Sequence, residues 1–241
     1  MLAQDALYET VSKIKSGGNV LDIGCGEGSF YKYCAKNDFS FQHSGCDLSE
    51  PEVIPTDYDF KTADLQKLPI DYKDDTFDFV ILSHVLEHIY NPIETISEAI
   101  RVLKPGGYLY VEAPSDRSVW ISFPFLQSWH LIFSFYDDPT HVGRPWTPQA
   151  FYRTAKYFNL ECLHCGYDTN FVSKLLLLPK LISGFVRRDP DTIVRSTWLA
   201  LGWSCYCVCT KPHGLSGAPK FRYHSFKNKP IGYRPGSTPD A

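Results

Sequence analysis

No apolar run in the 241-residue sequence is long enough to cross a bilayer. The longest aliphatic stretch is Leu175 to Leu178, against the roughly 20 residues a membrane helix needs. A secretory signal, with its succession of basic, apolar and small residues, is likewise missing at the N-terminus, so a cytoplasmic location is expected. Net positive charge is absent too. With 24 Lys and Arg against 27 Asp and Glu the formal charge is −3, which gives no electrostatic reason to expect a nucleic-acid partner, since such binders gather a basic excess on one face. There are no internal repeats.

What is present points to a globular α/β chain. At 44% hydrophobic and 15% aromatic residues, it can bury a core large enough for one large domain or two small ones. Its eight cysteines would suit a disulfide framework only in a small secreted protein, so reduced thiols are expected. Cys162-Leu-His-Cys165 and Cys205-Tyr-Cys207-Val-Cys209 both lie in strand-like stretches, where residues three apart point to opposite faces. They read as small buried side chains rather than zinc ligands, and no metal site is expected.

After a helical segment, Ala3 to Lys15, apolar strands alternate with helical stretches, the pattern of a parallel sheet with crossover helices. Predicted strands are Asn19 to Ile23, Phe41 to Cys46, Phe60 to Ala63, Phe77 to Leu82, Tyr108 to Glu112, Leu160 to Cys165 and Ser204 to Thr210. Asn91 with Pro92 starts a helix whose stripe is Ile93, Ile96, Ile100 and Leu103, and Lys104-Pro-Gly-Gly107 ends it. Thr147 and Pro148 start another, running to Phe158.

Residues 84–88 read HVLEH, the H-x-x-E-H pattern of one class of zinc peptidases. His84 follows a buried strand almost directly, and Asn91-Pro92 restarts a helix three residues after His88. That leaves at most about two helical turns, a poor platform for a metal held by two imidazoles of one helix face. The expected alternative is that Val85, Leu86 and Ile89 pack while the histidines edge a cleft.

Two insertions interrupt the alternation, at about 115–145 and 171–202. The first carries Trp120, Phe123, Phe125, Trp129, Phe133, Phe135 and Tyr136 and reads either as a lid over the ligand crevice or as rings that extend the core or cover a dimer contact. The second contains Leu-Leu-Leu-Leu-Pro-Lys-Leu-Ile followed by Arg187-Arg188; a buried lid helix is the preferred reading, with peripheral membrane contact as the alternative. Residues 213–241 form a Pro- and Gly-rich tail with Lys220, Arg222, Lys227, Lys229 and Arg234 against the single acid Asp240. The domain is expected to span 1–212.

Val20-Leu-Asp-Ile-Gly-Cys-Gly-Glu-Gly28 places three glycines at alternate positions between the first strand and the helix Ser29 to Lys36. Such a turn lets backbone approach a ligand, and the helix N-terminus offers unpaired N–H groups to a carboxylate or phosphate. Asp47, at the end of the second strand, can accept hydrogen bonds from ribose hydroxyls. A dinucleotide fingerprint would want glycine or alanine where Ser29 stands, and Asp22 would repel a pyrophosphate but attract an ammonium group. A nucleoside with an amino acid end fits better.

VLDIGCGEG, GCDLSE, ADLQKLP, FDFVILSHVLEHI and RVLKPGGYLYVEAP together resemble, in order and spacing, the class I S-adenosylmethionine-dependent methyltransferases, strongly over residues 18–114 and more loosely to Thr210. The resemblance implies a Rossmann-like, seven-stranded, mostly parallel sheet with helices on both faces and an antiparallel final strand. It implies that Asp22 and the turn of Gly24, Cys25, Gly26 and Gly28 hold the methionine part of S-adenosylmethionine, that Asp47 binds the ribose, that Leu48, Asp64 and Leu65 flank the adenine, and that Ser83 lies near the methyl donor. S-adenosylhomocysteine is then the product. A histidine can take the proton of a hydroxyl acceptor; His141 in Asp137-Asp-Pro-Thr-His141 is the first candidate, with Asp138 orienting it, and His84, His88 and His130 are others. The expected acceptor is a small molecule, a saccharide, nucleotide-sugar or related metabolite methylated on oxygen. A protein or RNA acceptor, and a catalytically inactive cofactor-binding partner subunit, are the alternatives.

Overall fold

The apolar runs become seven strands of one sheet. In the computed structural model, which describes residues 1–52, 55–120 and 134–217, these are β1 (Asn19–Ile23), β2 (Gln42–Asp47), β3 (Asp59–Thr62), β4 (Phe77–Ser83), β5 (Leu103–Pro114), β6 (Glu161–Tyr167) and β7 (Ser204–Thr210). Their order across the sheet is β3-β2-β1-β4-β5-β7-β6. The first five run parallel, and β7 is antiparallel to both of its neighbours. This is the expected Rossmann-like sheet with its antiparallel final strand. Winding reverses between β1 and β4, so their carboxyl ends open onto the crevice where ligands bind in such sheets.

Alternate residues of the central strands feed two cores. Val20, Phe79, Ile81, Tyr110 and Val208 pack with Ala6 and Val11 of α1 (Ala3–Val11) and Phe30 and Cys34 of α2 (Ser29–Lys36). Leu21, Val80, Leu82, Leu109 and Val111 pack on the other face with Ile96 and Ile100 of α3 (Pro92–Val102) and Phe151 and Ala155 of α4 (Pro148–Tyr157). Burial on both faces explains why β4 is an almost unbroken apolar run. Thr147 caps α4 through a 2.9 Å bond from the Ala150 N–H to its hydroxyl, whereas Asn91 starts α3 without a side-chain cap.

Three local expectations are corrected. The first helix stops at Val11. Lys104 to Gly107 does not form a turn outside the sheet but lies within β5, where the register with β4 breaks between Phe77 and Phe79. The alternation argument for the cysteines fails because the register of β6 shifts between Cys162 and His164. An extra residue at a bulge turns the following side chains over, so Cys162 and Cys165 both pack against the larger core. The Sγ atom of Cys207 lies 3.6 Å from that of Cys162 and 3.5 Å from that of Cys209.

Lys211, just past β7, is fully buried. Its ammonium donates to Asp75 Oδ1 at 2.7 Å and to the carbonyls of Ile100 and Leu103 at 2.7 and 2.6 Å, closing the C-terminal end of α3. A cation there satisfies otherwise unpaired helix carbonyls. Lys211→Met is expected to cost about 3–5 kcal/mol, the loss typical of breaking a buried pair from one side, read as a lower urea midpoint at unchanged slope.

The second insertion forms α5 (Phe171–Leu175), α6 (Leu177–Arg187) and α7 (Pro190–Leu201). Only α7 has a well-buried face, with Ile193 and Val194 against Trp203. The expected buried lid helix is not found: α5 buries no residue and α6 only Gly184, while Phe171, Leu175, Leu178 and Val186 are 66–78% exposed. Residues 121–133 of the aromatic insertion, with His130, and residues 218–241 of the tail lie outside the described residues.

Candidate active site

The turn after β1 is shaped by backbone that only glycine accepts easily. Gly24, Gly26 and Gly28 have φ of 74°, 47° and 71°, the left-handed region. At Gly24 space is also lacking, because a Cβ there would stand 2.3 Å from Cγ2 of Val85. The loop after β4 is therefore wedged against the glycine turn. The N–H groups of Gly24 and Cys25 donate to the Cys46 carbonyl at 2.8 and 3.2 Å. Asp47 ties the two loops together, accepting from the Gly26 N–H at 2.8 Å and from the Leu48 N–H at 2.6 Å. No side chain caps α2, which leaves its first N–H groups without a side-chain partner.

Asp22 lies beneath this turn, 6% exposed. Burial first, and then the charge of Asp47, push its pKa up to about 7. A buried carboxylate beside a second carboxylate has the chemistry to receive an ammonium group. This fits an amino-acid-bearing nucleoside such as S-adenosylmethionine. Cys25 is buried, and burial and the Asp22 carboxylate push its thiol up to about 12, so it is inert. Leu48 is 68% exposed on the rim. Asp64 accepts from the Gln66 N–H at 3.0 Å and pairs with Lys67 at 3.0 Å. The Leu65 side chain is taken up by the core, which leaves only its main chain for a ligand. Ser83 is the last residue of β4.

The HVLEH segment is a bent loop. His84 has φ +56°, and Leu86–His88 form a single 3-10 turn, so the two imidazoles do not share a helix face. His84 Nδ1 is 3.2 Å from Glu87 Oε1, and Nε2 is 3.8 Å from Glu112 Oε1. Burial would lower its pKa, but hydrogen bonds and charge from Glu112 and Glu87 outweigh it and raise the ring to about 10. It is a cation at neutral pH, the wrong form to accept a proton.

Segment 138–143 docks on this loop. The N–H groups of Val142 and Gly143 donate to the Glu87 carbonyl at 3.0 and 3.1 Å. His141 Nδ1 lies 2.7 Å from the Phe135 carbonyl, with the two rings 4.4 Å apart. The Phe135 carbonyl, rather than Asp138, is thus the group that orients the ring; Asp138 is 3.8 Å from Nε2 and accepts from the Thr140 hydroxyl at 2.6 Å. Thr140 Oγ1 in turn lies 3.0 Å from His88 Nδ1. Thr140 and Glu112 carry no role in the sequence, because only the fold brings Thr140 to His88 and Glu112 to His84.

The chain matches the family described as "Methyltransferase domain" over residues 2–165. It is 33% identical over 124 residues to norajmaline N-methyltransferase of Rauvolfia serpentina, covering 47% of this chain and 41% of that protein. With 2-methyl-6-phytyl-1,4-hydroquinone methyltransferase of Synechocystis it shares 32% over 127 residues, 49% of this chain and 40% of the relative. The matched stretch thus spans only about two fifths of each relative. Phosphoethanolamine N-methyltransferase 2 of Haemonchus contortus, solved with S-adenosyl-L-methionine, superposes with a TM-score of 0.61 at 16% identity, covering 87% of this chain and 52% of that one. Sheet order, the motif-bearing half of the sequence and the family match agree, and the chain belongs to the class I S-adenosylmethionine-dependent methyltransferase family.

Proposed function

We propose that the chain transfers the methyl group of S-adenosylmethionine to an oxygen of a small-molecule acceptor, a saccharide, nucleotide-sugar or related metabolite. The observation that carries the cofactor half of this reading is Asp22, a carboxylate buried under the glycine turn beside Asp47. In this reading Asp22 holds the ammonium, the main chain of Gly24 to Gly28 with the α2 N-terminus holds the carboxylate, Asp47 accepts from the ribose hydroxyls, and Leu48 and Asp64 flank the base. Bound there, S-adenosylmethionine supplies an electrophilic methyl group on a sulfonium centre. The protein's part is positioning of the acceptor in line and removal of its proton.

The relatives' names include nitrogen and hydroquinone acceptors, so the acceptor half rests on this chain's own base. With Nδ1–H donated to the Phe135 carbonyl, His141 has Nε2 left to meet the hydroxyl of an acceptor. Binding of S-adenosylhomocysteine by calorimetry tests the pocket, with NAD as the control ligand. Asp47→Ala is expected to weaken it by about 1.5–3 kcal/mol, the loss of one charge-assisted ribose contact. A wild-type chain that prefers NAD overturns the reading.

A further inference from the structure

Glu87, His88 and His141 come from two segments and meet. One ring nitrogen of each histidine and a Glu87 carboxylate oxygen all lie within 4.8 Å of one another. Two further observations give the cluster a purpose. Glu87 is 1% exposed, and its Oε2 is buried without a hydrogen-bond partner, a costly state unless something else satisfies it. In both imidazoles Nδ1 faces oxygen, the Phe135 carbonyl for His141 and Thr140 for His88. Since the Thr140 hydroxyl donates to Asp138, its oxygen accepts from His88. Nδ1 of each ring is thereby held as a donor, which directs Nε2 to a ligand, the arrangement that outer-shell groups impose on metal-bound histidine.

We propose that Glu87, His88 and His141 bind a divalent transition-metal ion through one carboxylate and two imidazoles. Two nitrogens and one oxygen leave further coordination positions open and suit manganese, iron, cobalt or zinc. Bonds of about 2.1 Å require donors about 3–3.5 Å apart, a closure of roughly an ångström. Val85, two residues before Glu87, is the residue wedged against Gly24, so the segment carrying Glu87 and His88 adjoins the proposed cofactor turn. Its use there rests on the methyltransferase reading: the ion receives the acceptor hydroxyl and lowers its pKa, and the proton leaves to water. With the ion bound His141 is a ligand, so its role as base in the proposed function belongs to the metal-free chain. The binding site itself stands without that reading.

The test uses the full chain, stripped with chelator and titrated with Mn2+ by electron paramagnetic resonance and with Co2+ by visible absorption. One equivalent of each is expected, with a Co2+ spectrum free of thiolate charge-transfer bands. His88→Ala, a half-exposed position that leaves no core cavity, is expected to weaken Mn2+ by more than the 10- to 100-fold typical of outer-shell losses. Thr140→Val, which keeps the ligands, is expected to cost about tenfold. Absence of stoichiometric Mn2+ binding, binding undiminished in His88→Ala, or Co2+ bands showing capture by Cys162, Cys207 and Cys209 would each overturn the site. S-adenosylhomocysteine binding measured on the same samples separates this failure from failure of the methyltransferase reading.

A second observation stands alone. Phe171, Val172, Leu175, Leu178, Ile182 and Val186 are 57–78% exposed on α5 and α6, and residues 171–188 carry Lys174, Lys180, Arg187 and Arg188 with no acid. Neither helix can span a bilayer. Apolar side chains with exclusively positive charge match an anionic lipid surface, and we infer that this helix pair docks on one. Sedimentation with phosphatidylcholine vesicles, with and without 30% phosphatidylglycerol by design, reads it. Salt-sensitive binding to the anionic vesicles only, abolished by Leu178→Glu with Ile182→Glu, is expected. Equal or absent binding to both, or concentration-dependent dimerisation lost in the same variant, overturns it.

Discussion

Replacing Asp22 by Asn is expected to stabilise the ligand-free chain at pH 8 by about 4 kcal/mol while weakening S-adenosylhomocysteine. Burial, reinforced by Asp47, raises the Asp22 carboxyl from 3.8 to about 7. An acid whose folded pKa is raised stabilises the fold in its protonated form. That contribution is complete below the unfolded value and is lost as pH rises through the folded one. The wild-type chain therefore loses stability between about pH 4 and pH 7, at about 1.4 kcal/mol for each pH unit separating the two values. Asn cannot ionise, so its unfolding free energy should lack this slope and should equal that of the wild type near pH 4.

An ammonium-bearing ligand reverses the preference, because it selects the ionised carboxylate. Wild-type affinity for S-adenosylhomocysteine should rise about tenfold per pH unit below 7 and then level off. Calorimetry at pH 6 in buffers of different ionisation enthalpy should show release of one proton on binding. In Asp22→Asn the profile should be flat and the affinity at pH 8 lower by roughly tenfold to a hundredfold, the loss of a hydrogen bond to a charged group. An Asn variant with the wild-type pH slope would assign the titration to another group.

The difference between what the sequence shows and what it hides follows from the range of the interactions. β4 is legible because Phe79-Val-Ile-Leu82 is buried on both faces, and the glycine turn because three left-handed positions in five residues leave few residue types acceptable. Both are local. The pairing of His88 with Thr140 across 52 residues, and of Lys211 with Asp75 across 136, is fixed by docking of loops that carry no periodicity. HVLEH misleads for a related reason. Its spacing has meaning only on a helix, and the positive φ of His84 sends the two rings apart and brings His88 to His141 instead. The bulge in β6 defeats the cysteine argument in the same way, since one extra residue inverts an alternation that composition alone cannot locate. The exposed stripe of α5 and α6 is visible as an apolar sequence; what the sequence cannot say is that these side chains stay exposed among the described residues.

Gly24→Ala should damage both stability and the cofactor turn, and its partial repair identifies the cause. Alanine at φ 74° costs roughly 1–2 kcal/mol in the left-handed region. Its Cβ would also meet Val85 at 2.3 Å, an overpacking worth about 1–3 kcal/mol more. Val85→Ala empties that space but leaves the backbone cost, so the double variant should show a favourable coupling of about 1–3 kcal/mol in urea unfolding. S-adenosylhomocysteine affinity should follow the same order, falling sharply in Gly24→Ala and recovering in part when Val85 is shortened. That recovery requires the wedge between the two loops to set the shape of the turn, because Val85 itself touches Gly24 from the β4 side. If the double variant is no better than Gly24→Ala, the left-handed backbone alone determines the requirement for glycine, and the loop carrying Glu87 and His88 is positioned by the 138–143 segment rather than by the glycine turn.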